Sequence, residues 1–304
     1  GADTVPPRPV VSAEIDVGRF LGGITSGFGG IWVAVPPLDA GDRSSIARID
    51  PETDRVIASI SIDEHPGQIA AGEGAVWVAG VNSLLRIDPE TDRVVSQVTG
   101  AGGLVTSTPG AVWAVASPDT LARVDPATDE IAATVPLSLK QGQGIPGPLV
   151  GTSDSVWLVA TGPDEEAGEL LRIDPGSNSV TARTALPGAP GMLVADETGA
   201  WTTSWSDGET HLAHIGGRTG NVDMTASVEG SWTPFAVGDG RLWLMGGYDG
   251  RDTQIGGLNL STLSIDVTAT LDLVPAYDGS GVFDPSTDSL WISGYKGTVA
   301  RVDL

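Results

Sequence analysis

Three histidines bound the acid–base and metal chemistry open to this chain. His65 follows Asp63 and Glu64, so an imidazole and two carboxylates in three residues offer a general base or part of a metal site. It also precedes Pro66, where an exposed loop histidine is the plainer reading. His211 and His214 lie three apart in a strand-like run, which puts them on opposite faces and keeps them from sharing one metal. Acidic turns recur as Asp50-Pro51-Glu52-Thr53-Asp54, Asp88 to Asp92, Asp125 to Asp129 and, loosely, Asp174 to Asn178. Their oxygens suit calcium, but the spacing does not follow the EF-hand loop, and Asp-Pro opens a type I turn without any metal. With no cysteine and no Gly-x-Ser-x-Gly, phosphate-loop or zinc motif, no catalytic residue, metal or cofactor is assigned.

The elements that must carry any site are set by a repeat. Ala75-Val76-Trp77-Val78-Ala79 is followed by a loop, by Leu84-Leu85-Arg86-Ile87, by the Asp88-Pro89 turn and by an alternating run from Val94. Trp32, Trp77, Trp113, Trp157, Trp201, Trp243 and Trp291 occupy matching positions, with spacings of 45, 36, 44, 44, 42 and 48 residues. A period in the low forties with four strand-like runs per period is a propeller signature, and seven tryptophans predict seven blades. The expected fold is all-β: a seven-bladed propeller over residues 11–304, each blade four antiparallel strands, A to D, from the central channel outward. Residues 11–17 alternate like a lone strand, and the C-terminal Thr298–Leu304 run ends a unit one strand short. The N-terminal strand is thus expected to complete the last blade and close the ring.

The repeat resembles the bacterial YVTN/NHL-type propellers, with their apolar-Trp-Val-Ala strand and Arg-Ile-Asp-Pro-x-Thr strand-turn. The resemblance covers residues 11–304 and is clearest in blades one to four. In blades five to seven, His211-Leu212-Ala213-His214-Ile215-Gly216 and Gly257-Leu258-Asn259-Leu260-Ser261 replace the Arg-Ile-Asp-Pro element. It implies a seven-bladed ring and a family of binding modules, sensor domains of receptor kinases and a few enzymes. The related streptogramin B lyases use channel-mouth histidines with a glutamate and magnesium, and this chain lacks that histidine set.

In an antiparallel blade the A–B and C–D turns share one face, and the B–C loops and D-to-A connections share the other. The first set is short and stereotyped; the second varies, as a functional face on a rigid scaffold does. The unusual residues fall on the second face. Trp205, Tyr248 and Tyr295 are assigned to B–C loops, and Trp232 and Tyr277 to D-to-A connections, as stacking surfaces. Lys140 and Lys296 (the only lysines), Arg251, Asp278 and His65 are the polar and charged candidates there. Long loops also need aromatics to pin themselves down, so packing is the competing explanation.

A formal charge of −23 argues against nucleic acid and against an anionic membrane surface. No run approaches the roughly 18 apolar residues of a membrane span. Residues 1–10 read as a Pro-rich linker, which suits a chain following a leader, anchor or other domain and equally a cytoplasmic protein; the acidic, Cys-free composition leans extracytoplasmic. The expected function is a non-enzymatic, monomeric binding or sensor module for a small molecule, glycan or peptide. The alternatives are a metal-dependent hydrolase or lyase at the channel mouth and a structural scaffold for protein partners.

Overall fold

The computed structural model describes residues 8–37, 39, 42–145, 147–162, 168–186, 190–246, 253–272, 280–294 and 297–304. Their strands form seven four-stranded antiparallel sheets, with no helix among the described residues. Blade 2 shows the pattern: strand A Ile69–Gly72, B Ala75–Ala79, C Ser83–Asp88 and D Arg93–Thr99. Strand B is buried throughout, which is why its sequence is a continuous apolar run and not an alternation. Strand D is mostly exposed and forms the rim. The last sheet joins Gly281–Asp284, Ser289–Ser293 and Thr298–Asp303 to the N-terminal strand Val10–Asp16, so the ring closes as the sequence predicts.

Each repeat tryptophan is almost wholly buried and wedges into the next blade. Trp32 packs on Val76 and Val78, Trp77 on Val112 and Ala114, and the sense continues to Trp291, which packs on Ile31 and Val33 of blade 1. A buried indole N–H needs an acceptor. In Trp32, Trp77 and Trp243 it donates to the carbonyl five residues earlier, at the end of strand A, at 2.9 to 3.2 Å. The A–B turns there are two-residue hairpins with both central residues at positive φ: Phe28 and Gly29, Glu73 and Gly74, Asp239 and Gly240. That geometry matches strand twist and explains the recurrent glycine.

Strand D carries one extra residue at the same place in every blade: Ile57, Val95, Ala132, Thr181, Asp223, Asp266 and, in the closing strand, Ser12. A bulge at this point bends the outermost strand and blunts an edge that would otherwise template pairing with another chain.

In blades 1 to 4 and 7 an arginine stands opposite the tryptophan on strand C. The Arg48 guanidinium lies 4.7 Å from the Trp32 ring centroid, and Arg86, Arg172 and Arg301 sit similarly at 5.6 to 5.9 Å from theirs. Arg48 donates to the Pro89 carbonyl and to Asp92 of the next blade at 2.7 and 2.9 Å, Arg86 to Asp129, and Arg301 to Pro51 and Asp54. The acceptor aspartates occupy the left-handed position that ends the Asp-Pro turn. The first aspartate of each turn is used locally: Asp50 accepts from the Glu52 N–H and the Thr53 hydroxyl, Asp88 from Glu90 and Thr91. Both carboxyls are thereby held below their usual range. The acidic repeat is thus accounted for by turn closure and by clasping one blade to the next.

Blade 7 departs from the glycine-containing A–B turn. Its A–B turn is Asp284-Pro285-Ser286-Thr287-Asp288, and Asp284 is only 4% exposed. Burial pushes its carboxyl up, but hydrogen bonds donated by Thr287, Ser286 and Ser26 of blade 1 outweigh it and leave the carboxyl below its usual range. A depressed folded-state pKa gives stability that is present above the unfolded value of about 3.9 and lost as pH falls through the folded value. Asp284→Asn is therefore expected to destabilise the protein at neutral pH and progressively less at acid pH. Urea titrations of both proteins at pH 7 and at pH 3 check this, and a pH-independent difference would contradict it.

Candidate functional site

The seven A strands enclose a channel of about 460 Å³. Its described wall combines Ile24, Val105, Leu149, Met192 and Phe235 with amide and hydroxyl groups such as Gln68, Thr25, Thr106 and Ser107. No titratable side chain lines it among the described residues. Strand A starts on the face of the D-to-A connections, and there the Gln68 amide donates to the Leu149 carbonyl at 2.8 Å and accepts the N–H groups of Val105 and Leu149 at 3.3 Å. One side chain joins blades 2, 3 and 4 at the mouth.

The structure sorts the sequence candidates. His65 is exposed in the connection after strand D of blade 1 and makes no hydrogen bond among the described residues, while its neighbour Glu64 accepts from Gln97 at 2.9 Å. No group of three histidine, aspartate or glutamate side chains that could hold a metal occurs among the described residues. Lys140 lies in the connection into blade 4, where its ammonium pairs with Glu169 on strand C, with Arg183 at 3.5 Å from the same carboxylate. The Lys140 hydrogen bond is the main cause holding Glu169 below its usual range, so this lysine ties a loop to its blade.

Trp205 is placed differently from the loop assignment. Strand B of blade 5 runs Gly199–Ser206, strand C starts at Glu209, and a tight Asp207-Gly208 turn joins them. Trp205 stands at the strand end, 59% exposed. Trp232 likewise opens strand A of blade 6, Trp232–Gly238. Its ring lies over Gly246 and Gly256, where a Cβ would come within 3.0 and 3.1 Å of it, and its indole donates to the Glu229 carbonyl at 2.8 Å. Its backbone N–H donates to the Thr210 hydroxyl. Trp232 thus pins the blade 5 to blade 6 connection as well as showing part of its ring. Tyr248, Tyr277, Tyr295, Lys296, Arg251 and Asp278 lie outside the described residues.

His211 and His214 point to opposite faces, as the strand periodicity requires. His214 is 2% exposed, stands where blades 1 to 4 and 7 have arginine, packs 4.7 Å from Trp201 and bonds Asp223 at 2.6 Å and Thr198 at 3.2 Å. His211 faces blade 4, its ring nitrogens 2.8 Å from the Ser206 hydroxyl and 2.9 Å from that of Ser227. Beside it is a cleft of about 410 Å³ between blades 4 and 5, which the sequence reading does not single out. The signal available was the Trp201-Thr202-Thr203-Ser204 run standing where every other blade follows the tryptophan with an apolar residue.

No family model matches the chain, and no curated protein does. Solved structures match over the whole length. Kuenenia stuttgartiensis hydrazine synthase aligns at 10% identity and a TM-score of 0.69, covering 99% of both chains. U3-55K aligns at 12% and 0.71, covering 98% of both. The beta-propeller domain of Myceliophteria thermophila Cps50 (Swd1) aligns at 11% and 0.71, covering 97% of this chain and 99% of that one. At such identities the likeness is one of architecture alone, and the chain is a seven-bladed β-propeller.

Proposed function

We propose that this propeller is a non-enzymatic binding or sensor module, YVTN/NHL-like in its repeat, that takes a small molecule, glycan or peptide at the channel mouth on the B–C and D-to-A face. The observation that supports this most is the contrast between the two faces. On the turn face, the strand C arginines of blades 7, 1 and 2 clasp the turn aspartates Asp54, Asp92 and Asp129 of the next blades. The opposite face opens a channel lined by amide, hydroxyl and apolar groups, suited to orienting an uncharged ligand. A general acid or base for the alternative hydrolase or lyase reading would have to come from outside the described wall. An extracytoplasmic setting belongs to the proposal and rests on the acidic, Cys-free composition.

Thermal-shift titration against neutral sugars, nucleosides and apolar peptides, with and without EDTA, tests the reading. A melting temperature that rises with one ligand class by mass action and ignores EDTA supports it. A fall with EDTA that one divalent ion restores overturns it in favour of a metal site. Protein scaffolding is the second reading. Its specific support is the exposed apolar rim of blades 1 and 2, where Val56, Ile57, Val94 and Val95 of strand D reach solvent.

A further inference from the structure

We infer that the cleft between blades 4 and 5 is a second binding site, separate from the channel mouth, for a neutral hydroxyl-rich ligand of about one sugar ring. The cleft is built from two cross-strand rows on the face of blade 5 that looks at blade 4. One row is Thr202, Ala213 and Thr225; the other is Ser204, His211 and Ser227. Each row runs from strand B through strand C to strand D, two inter-strand steps, so the cleft reaches about 10 Å inward from the rim.

Thr202 stands at its inner end. It is 2% exposed, and its hydroxyl has no hydrogen-bond partner among the described residues. A buried hydroxyl without a partner is unfavourable and uncommon, and here it lines a cavity. Packing does not require it. The same register position in the other blades holds Val33, Val78, Ala114, Leu158, Leu244 and Ile292, apolar in every case. Blade 5 alone replaces that apolar contact by a hydroxyl, and the cleft that the hydroxyl lines is within the size range of small-ligand pockets.

The lining names the ligand class. Its polar groups are hydroxyls and the imidazole of His211, which the flanking Ser206 and Ser227 hydroxyls hold in place. No carboxylate, ammonium or guanidinium lines the cleft among the described residues, so nothing there neutralises a charged ligand. Leu186 of blade 4 supplies an apolar surface opposite the hydroxyls, and Ala213 a smaller one between Thr202 and Thr225. A sugar ring has that same division, with C–H groups on its faces and hydroxyls around its edge.

Calorimetric titration of the whole chain with glucose, galactose, mannose and N-acetylglucosamine tests the site, with gluconate and glucosamine as charged controls. At least one neutral sugar is expected to bind, and the charged analogues to bind more weakly. Thr202→Val replaces the hydroxyl by a methyl group and restores what the other blades carry. It is expected to weaken that binding by about tenfold or more without lowering the melting temperature of the free protein. Ser227→Ala at the rim checks the outer row and should weaken binding less. The inference fails if none of the neutral sugars binds at tens of millimolar, if gluconate binds best, or if Thr202→Val binds as the wild type does. A channel-mouth ligand is indifferent to Thr202→Val, so failure here and failure of the channel reading are separate results.

Discussion

Removing residues 10–16 is expected to unfold the entire ring rather than fray one blade. That strand pairs with Thr298–Asp303 over six residue pairs and buries Ile15 against Ile31, Val33 and Trp291 at the joint between blades 7 and 1. Its loss leaves strand C of blade 7 as an open edge and strips one wall from the joint. A handful of ladder hydrogen bonds at about 1 kcal/mol each, together with the apolar surface of Ile15 and its neighbours, amounts to roughly 5 kcal/mol or more. That is comparable with the whole stability of an ordinary domain, about 5–15 kcal/mol. In a closed ring every blade leans on two neighbours, so the loss is felt around the circle. A chain beginning at Val17 should show no cooperative melting transition, or one lowered by well over 10 °C; a synthetic peptide of residues 8–17 should restore it. An unchanged transition in the shortened chain would mean that the ring is not held by this closure.

Trp77→Ala is the point substitution with the largest expected cost, about 3–5 kcal/mol by urea denaturation. Its indole is fully buried between blades 2 and 3, donates to the Gly72 carbonyl and underlies the Arg86 guanidinium, so alanine opens a void, leaves that carbonyl without its donor and removes the ring beneath a guanidinium that keeps only Asp129 among the described residues. Trp205→Ala, at an exposed strand end, is expected to change stability by no more than about 0.5 kcal/mol. The two residues are of one type in one chain, and only their places differ. Equal losses would contradict the assignment of the repeat tryptophans as inter-blade wedges.

The architecture was legible because it is written seven times. The tryptophan period, the Gly-rich turns and the Asp-Pro turns each state the same strand order, and the unmatched terminal strands state how the circle closes. Position along a strand was harder to read. Trp205 and Trp232 sit in strands and not in connections because blade 5 joins strands B and C by two residues and blade 6 starts strand A at once, and neither fact shows in hydrophobic pattern. Lys140 reads in sequence only as a charged candidate for the loop face, since nothing there brings Glu169, 29 residues on, to its ammonium. The cleft of blade 5 was missed for a related reason. A threonine beside a repeat tryptophan reads as mild drift until the register shows that six apolar residues hold the same place.

The arginine clasp has a direction and an end. It joins blade 7 to 1, 1 to 2 and 2 to 3, and then stops: blade 4 has Asn178 where an aspartate would receive Arg123, and in blades 4, 5 and 6 the basic group turns to its own bulged residue, Thr181, Asp223 or Asp266. The circle is therefore mechanically uneven. Four blades form a stiff arc riveted by charge, and the remaining joints rest on apolar contact and on hydrogen bonds without an ion pair among the described residues, such as Thr184 to the Gly220 carbonyl and Ser153 to Glu197, which tolerate a small sliding or parting that a guanidinium–carboxylate bond would resist. The cleft between blades 4 and 5 sits in that compliant arc. A guest entering there could spread two blades slightly without breaking a rivet, while the stiff arc kept the circle round.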